Sequence, residues 1–340
     1  MIAAVQFNNF KALRAAAVQL GPFNLFIGPS GSGKTSLIQA LLRLRSLAAL
    51  PVISRAELLA QQGDGPQIEF RFIAPYDAIV VTMGCNSDQL VCNLLAVERP
   101  ATDEGDRLWS ELRERLRGIR AFLFDHYAMA LPAKCVDGAG LTSNAGNLAA
   151  VLYARREQAP RAFAHLVGDF CRILPEFSAL DFRLVGDAHV ELLAKLADGS
   201  EVLPAETLSQ GTLYLLAVLC LAHDPHPPSI VCLEEADRGV HPRMLREVRD
   251  ALYRLSHPLI EEETGKPMRA PVQVITTTHS PYMLDLFRDH PEEVVLANKH
   301  GNTATFERLS ERADLMALMG EASLGDLWYS GILGGIPGEA

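Results

Sequence analysis

The segment Gly28-Pro29-Ser30-Gly31-Ser32-Gly33-Lys34-Thr35 constrains this chain more than any other. It fits G-x-x-x-x-G-K-[ST] and has the required context, the apolar run Asn24-Leu25-Phe26-Ile27 before it and a helical pattern after it. Glycines at these spacings let the backbone wrap around phosphate oxygens, with N–H groups pointing inward at a helix N-terminus. In that arrangement Lys34 neutralises the β- and γ-phosphate oxygens and Thr35 offers its hydroxyl to Mg²⁺. Ser36 completes the stretch expected to touch a nucleotide. A strand–loop–helix of this kind belongs to an α/β fold.

The rest of the chain supplies such a fold. Strand patterns run over Ile2 to Phe7 and Phe23 to Ile27, and a helix over Thr35 to Ser46 with Leu37, Ile38, Leu41, Leu42 and Leu44 on its apolar side. Strands recur at Gln67 to Ile73, with the period-2 alternation of a half-buried antiparallel strand, and at Ile79 to Met83. Helical patterns follow over Glu104 to Arg117 and Asn147 to Leu174. From Ser229 the order is strand, helix, strand, short helix, strand, the mark of a parallel sheet covered by helices. Residues 261–271, charged and containing Gly and Pro, read as an exposed loop.

The phosphate loop alone does not choose among kinases, GTPases, transporters and chromosome-type ATPases. Three further motifs narrow the choice. Ser229 to Leu233 is a short apolar strand ending in Glu234-Glu235. Carboxylates at the end of a buried strand are placed to hold a Mg²⁺ hydration shell (Glu234) and to orient or deprotonate an attacking water (Glu235). Leu208-Ser209-Gln210-Gly211-Thr212 runs straight into an apolar helix, and Gly211 precedes Glu234 by 23 positions. The Ser209 hydroxyl and the Gly211 N–H at a helix N-terminus form a second anion site, which suits the γ-phosphate held by another subunit, or else Ser209 is an ordinary helix cap. Finally, the β-branched strand Val274 to Thr278 ends in His279-Ser280-Pro281, which places His279 to hydrogen-bond a γ-phosphate or the attacking water.

Charge and cysteine content bound the partners. The chain carries a formal charge of −10, which argues against a nucleic-acid coat. The balance is uneven: within residues 1–60, Lys11, Arg14, Lys34, Arg43, Arg45 and Arg55 face Glu57 alone, a net +5 that leaves −15 for the remainder. Any DNA contact is confined to a local basic surface, with Arg43, Arg45 and Arg55 the foremost candidates. The six cysteines are scattered without a C-x-x-C pair and read as small buried hydrophobes in a reducing cytoplasm. Gln6, Asn8 and Asn9 interrupt the N-terminal apolar stretch, so no secretion signal is read there. The longest fully apolar run, Leu213 to Ala222, is about half a membrane span and fits a buried core helix, so no membrane partner is expected.

The series GPSGSGKT, LSQGT, CLEEADRGVHP and TTTHSP resembles the ABC-type ATPase heads of SMC, RecF and OLD-type proteins. It is most similar to the compact AAA-family ATPases with SMC-like heads, and the likeness spans Phe10 to Pro281, with the middle segment from Asn147 included. The resemblance implies a P-loop NTPase with a mostly parallel core sheet flanked by helices, an antiparallel β subdomain and an inserted helical lobe. It implies one head with a nucleotide-binding lobe at 1–100 and 225–310, an inserted, largely helical lobe at 101–224, and a C-terminal tail at 311–340. It makes Gly28, Pro29, Ser30, Gly31, Ser32, Gly33, Lys34, Thr35 and Ser36 the ATP cradle, Thr35 and Glu234 the Mg²⁺ ligands, and Lys34, Glu235 and His279 the catalytic groups. Ser209 and Gly211 act in trans, and Asp237 lies in an inter-subunit loop whose role is left open by Ala236-Asp237 where the family has Pro-Glu.

On this basis the expected activity is Mg²⁺-dependent ATP hydrolysis driving head-to-head homodimerisation and dissociation. The expected setting is a switch or motor for a partner in DNA repair or anti-phage defence, with a nuclease-like effector or DNA as partner classes. An ATP-gated clamp with slow turnover is the alternative, and the soluble ATPase subunit of a transporter is a third. The Q-loop glutamine (Gln61, Gln62 or Gln67) and the adenine contacts (Phe10, Lys11, Arg14) stay open. The absence of long heptads argues against an SMC-type arm. The tail around Trp328 is expected to pack on its own domain.

Overall fold

The computed structural model describes residues 1–63, 65–86, 91–186, 188–258, 260, 267 and 269–334. The chain divides into two compact units. The first comprises Met1–Ala121, Pro228–Cys232 and Pro271–Ala340, and the second Phe122–Pro227 and Leu233–Ala270.

The first unit holds two sheets. Strands β1 (Ile2–Phe10), β2 (Leu13–Gln19), β4 (Gln67–Phe72), β5 (Val80–Cys85) and β6 (Cys92–Glu98) form an antiparallel sheet in the order β2-β1-β4-β5-β6. The other has the order β15 (Thr303–Arg308), β14 (Val294–His300), β3 (Phe23–Ile27), β13 (Gln273–Thr278), β12 (Ile230–Leu233), β7 (Ile119–Phe122). At its centre β3 runs parallel to both β13 and β14, and β15 closes the edge antiparallel to β14. Helices α1 (Lys34–Ala48), α2 (Arg55–Gln62), α3 (Asp103–Arg117), α9 (Pro281–Asp285), α10 (Leu315–Glu321) and α11 (Leu324–Tyr329) complete the unit.

Burial explains these elements. Every residue of β3, β12 and β13 is buried, as expected for central strands covered on both faces. Leu37, Ile38, Leu41, Leu44 and Leu47 line the buried stripe of α1. Helix α2 starts with a capping box, in which the Ser54 hydroxyl accepts from the Glu57 N–H and Glu57 accepts from the Ser54 N–H. Two wholly buried amides are satisfied within the core: the Gln273 side chain donates to the carbonyls of Ile2 (2.8 Å) and Gly21 (2.9 Å) and accepts from the Ile2 N–H (3.0 Å), while Asn24 bonds Gly21 and Val274. Gln273 thereby ties β1 of one sheet to β13 of the other.

In the second unit β10 (His189–Leu196) pairs antiparallel with β8 (Ala133–Lys134), β9 (Phe177–Val185) and β11 (Val202–Pro204). Helices α4 (His126–Ala130), α5 (Leu148–Gln158), α6 (Pro160–Ile173), α7 (Gln210–Ala222) and α8 (Leu245–Ser256) accompany this sheet. Helix α7 is apolar all round and buried from Gly211 to Ala222. Its C-terminal carbonyls meet cations: Arg155 donates to the Cys220 carbonyl and pairs with Asp224 at 3.2 Å, and Arg269 donates to the Ala222 carbonyl at 3.1 Å.

The molecule has the expected α/β class, with parallel pairs at the centre of the core sheet, a separate antiparallel sheet and an insertion carrying helices. Three departures stand out. The pattern over Asn147 to Leu174 is two helices, since Pro160 cannot continue α5 but suits the first turn of α6. Residues 177–204, for which no element is predicted, form β9, β10 and β11. Cys85 and Cys92 face each other across β5 and β6 and form a disulfide, so the expectation of six reduced cysteines is corrected: antiparallel register pairs residues that no C-x-x-C spacing reveals. Most of the loop read at 261–271, residues 261–266 and 268, lies outside the described residues. The tail does pack on its own unit: the Gly325 N–H of α11 donates to Asp285 of α9 at 2.7 Å, and Leu324, Leu327 and Leu333 are buried.

Candidate nucleotide-binding site

The phosphate loop leaves β3 at Ile27 and enters α1 at Lys34. Gly31 (φ +77°) and Gly33 (φ +92°) adopt left-handed conformations that other residues rarely take, and Gly33 begins α1 without a side-chain cap. The first turn of α1 has no acidic residue, so no carboxylate of that turn offsets the partial positive charge of its N–H groups. Lys34 is buried, and its ammonium donates to the carbonyls of Gly28 (2.7 Å) and Pro29 (2.9 Å) and to the Ser32 hydroxyl (3.4 Å). Thr35, Ser30 and Gly31 are exposed at the mouth of the loop, with Pro29 and Ser36 half-buried.

Two hairpins frame the loop. A Cβ on Gly28 would stand 2.2 Å from the Ala297 carbonyl of β14, so β14 packs backbone to backbone against the loop. A Cβ on Gly33 would stand 2.9 Å from Leu13 of β2. The hairpins join where the Ala304 N–H donates to the Ala12 carbonyl at 2.8 Å. In the β1–β2 turn, Lys11 (φ +53°) reaches Gln39 of α1 at 2.6 Å, while Phe10 is buried in the core and Arg14 is exposed. Of the three residues considered for adenine, Lys11 is the one held against α1.

His279 leaves β13 beside the loop's own strand. The register pairs Thr278 with Ile27, so His279 and Gly28 are the next residues on adjacent parallel strands. His279 is exposed, and Ser280 caps α9 by accepting from the Met283 N–H at 3.3 Å.

The second unit carries the other motifs. Glu234 and Glu235 are half-buried where β12 ends, and the Glu234 N–H donates to the Phe122 carbonyl at 2.8 Å. Glu235 takes a left-handed φ of +53°, a strained conformation for this residue type, and strain of this kind clusters at functional sites. The buried Tyr214 phenol of α7 donates to the Glu235 carbonyl at 3.0 Å. Burial, together with the Asp237 and Glu235 carboxylates, pushes that phenol well above its ordinary pKa. The Glu235 carboxylate sits 3.5 Å from Arg238. Ser209 caps α7, accepting from the Thr212 N–H at 3.1 Å and sharing a bond with its hydroxyl at 2.8 Å. A Cβ on Gly211 would stand 3.1 Å from the Gly239 carbonyl, so the segment after Glu235 lies on the first turn of α7.

Thus Gly28 to Ser36 and His279 are gathered in one unit, and Ser209, Gly211, Glu234, Glu235 and Asp237 in the other. Sequence reasoning missed Tyr214, hidden in an unbroken apolar run, and Lys299, whose ammonium lies beside Gly31. Gln67, read as a residue that could be exposed, is buried, and Gln62 braces the carbonyls of Pro66 and Cys85 at 2.7 Å each. Arg43, Arg45 and Arg55 are half-buried and donate to Cys92, Ile119 and Thr82 respectively, so they do not form a projecting basic patch.

Residues 156–285 match the family model described as "AAA domain, putative AbiEii toxin, Type IV TA system". No curated protein sequence matches the chain. A solved SmcHead bound to the C-winged helix domain of ScpA is similar at a TM-score of 0.54 with 15% identity, covering 90% of this chain and 96% of that one. The Smc head domain with an extended coiled coil bound to the C-terminal domain of ScpA, from Pyrococcus furiosus, is similar at 0.51 with 12% identity, covering 94% and 99%. In fold the chain is similar to SMC head domains.

Proposed function

We propose that this protein binds Mg-ATP and hydrolyses it, with two copies closing head to head around two nucleotides and separating after hydrolysis. One observation carries the reading: a buried Lys34 ammonium held by loop carbonyls at the uncapped N-terminus of α1, in a loop whose left-handed glycines curve its backbone into a cradle. In this reading the Gly28–Ser36 backbone binds the β- and γ-phosphates, and Lys34 exchanges carbonyl partners for phosphate oxygens. Thr35 and Glu234 hold Mg²⁺, and no cluster of three or more His, Cys, Asp or Glu side chains forms a metal site among the described residues. That donor set suits a cation that takes its remaining ligands from phosphate and water. When bound, Mg²⁺ neutralises charge on the phosphates.

Glu235 orients the attacking water and accepts its proton, and His279 hydrogen-bonds the γ-phosphate. Ser209 and Gly211 present a hydroxyl and an N–H to the nucleotide of the second copy. The wider role is a switch or motor in DNA repair or anti-phage defence, acting on an effector such as a nuclease, in the cytoplasm. Support for that setting is the toxin–antitoxin wording of the matching family and the capture of similar heads with ScpA domains. No helix among the described residues is long and apolar enough to cross a membrane. The Glu235–Arg238 pair favours a second reading, a clamp gated by ATP with slow turnover, because it occupies the proposed base.

Phosphate release and light scattering on the purified protein test the proposal. Wild type should hydrolyse ATP, Lys34→Ala should neither bind nor hydrolyse it, and Glu235→Gln should accumulate as a dimer with ATP. A Glu235→Gln variant that stays monomeric with ATP bound eliminates the head-to-head mechanism. On the clamp reading Arg238→Ala frees the base and speeds turnover, and a rate unchanged from wild type removes the support for it.

A further inference from the structure

We propose that Lys299 is a second phosphate-binding cation of the nucleotide loop, contacting the polyphosphate of the bound nucleotide. The inference rests on the ATP-binding reading above and adds a residue that no sequence motif contains. The Lys299 ammonium lies 3.4 Å, and its Cδ 3.9 Å, from where a Cβ on Gly31 would stand. Gly31 is an exposed, left-handed residue in the middle of the phosphate loop.

The placement of Lys299 follows from strand register. Strand β14 runs parallel to β3 with Leu296 opposite Ile27, so its next residues run alongside the loop that begins at Gly28. Ala297 meets Gly28 directly, and residues two apart on a strand share a face, which brings Lys299 to the loop as well. Its backbone is fixed from the other side, since Lys299 pairs with Ala304 of β15, and Ala304 in turn abuts Gly33 and donates to Ala12. The root of the side chain is therefore held and its tip is exposed.

Among the described residues Lys299 has no carboxylate or other hydrogen-bond partner, and it approaches a loop that already contains Lys34 and the positive end of α1. Like charges gathered at a helix N-terminus are unfavourable until an anion joins them. Lys34 is buried and bonds loop carbonyls, whereas Lys299 is exposed. A multiply charged ligand, the polyphosphate of a nucleotide, is the occupant this arrangement fits, and a single ammonium-to-phosphate hydrogen bond is worth about a factor of ten in affinity.

The test is titration of a fluorescent ATP analogue with Mg²⁺ into wild type, Lys299→Gln, Lys299→Arg and Lys34→Ala, with inorganic tripolyphosphate as a competitor. Lys299→Gln should keep the wild-type melting temperature, bind the analogue about tenfold more weakly and resist tripolyphosphate competition to the same degree, while Lys299→Arg stays within about twofold of wild type. If Lys299→Gln binds like wild type while Lys34→Ala loses binding, Lys299 is removed from the site and the nucleotide reading stands. If wild type binds no analogue, the nucleotide reading falls and this inference falls with it.

Discussion

The phosphate loop of the first unit and the Glu-Glu turn of the second are held in different ways. The loop is fixed by close packing at its glycines: Gly28 against the Ala297 backbone carbonyl and Gly33 against the Leu13 side chain, where a single added carbon would clash. The turn is fixed by side-chain hydrogen bonds, Tyr214 to the Glu235 carbonyl and Ser209 to Thr212, around one residue in a strained conformation. The first kind of support fails all at once when volume is added. The second can be removed one bond at a time.

That contrast can be broken experimentally, and the largest effect is expected in the loop. Gly28→Ala drives a methyl to 2.2 Å from the Ala297 carbonyl, so β14 must shift, and urea unfolding should show a loss of about 3 kcal/mol or more. A variant as stable as wild type would show that the loop is not set by that contact. Tyr214→Phe keeps the packing and deletes one hydrogen bond, and should cost about 1–2 kcal/mol in the same measurement. A smaller change of opposite sign is expected for Glu235→Gly, which relieves the left-handed strain and should stabilise the protein by about 0.5–1 kcal/mol while abolishing hydrolysis. Loss of stability there would mean the Glu235 side chain supports the turn more than its backbone strains it.

The smallest effect concerns acid. Burial opposes ionisation of Asp169 in the second unit, but hydrogen bonds from His223, Arg254 and Arg172 outweigh it and hold this carboxyl below its ordinary range. A lowered folded-state pKa gives stability that is fully present above the unfolded value of about 4 and is lost as pH falls through the folded value. Urea midpoints followed from pH 5 downward should fall less steeply for Asp169→Asn than for wild type.

The same contrast explains what the sequence allowed to be read. The loop was legible because its backbone needs glycine at fixed spacings, α1 and the buried β3 because their apolar patterns match their burial, and β13 because of its β-branched run. The left-handed Glu235 left no trace, since Glu is not a turn residue and its support comes from Tyr214 inside an apolar helix. Lys299 was invisible because only the β3–β14 register brings it to Gly31. Strands β9 to β11 escaped because β9 buries its first half and exposes its second, which erases the alternation that announces a strand.

The contact between Gly211 and Gly239 has a mechanical consequence. The Gly239 carbonyl lies so near Gly211 that a Cβ there would stand 3.1 Å from it, and the Gln210 side chain fills the space where a Cβ on Gly239 would go. Such a joint leaves no room for an added side chain. A residue larger than glycine at 211 or 239 would push the first turn of α7 away from the segment that follows Glu235, so within the second unit the two must be displaced together.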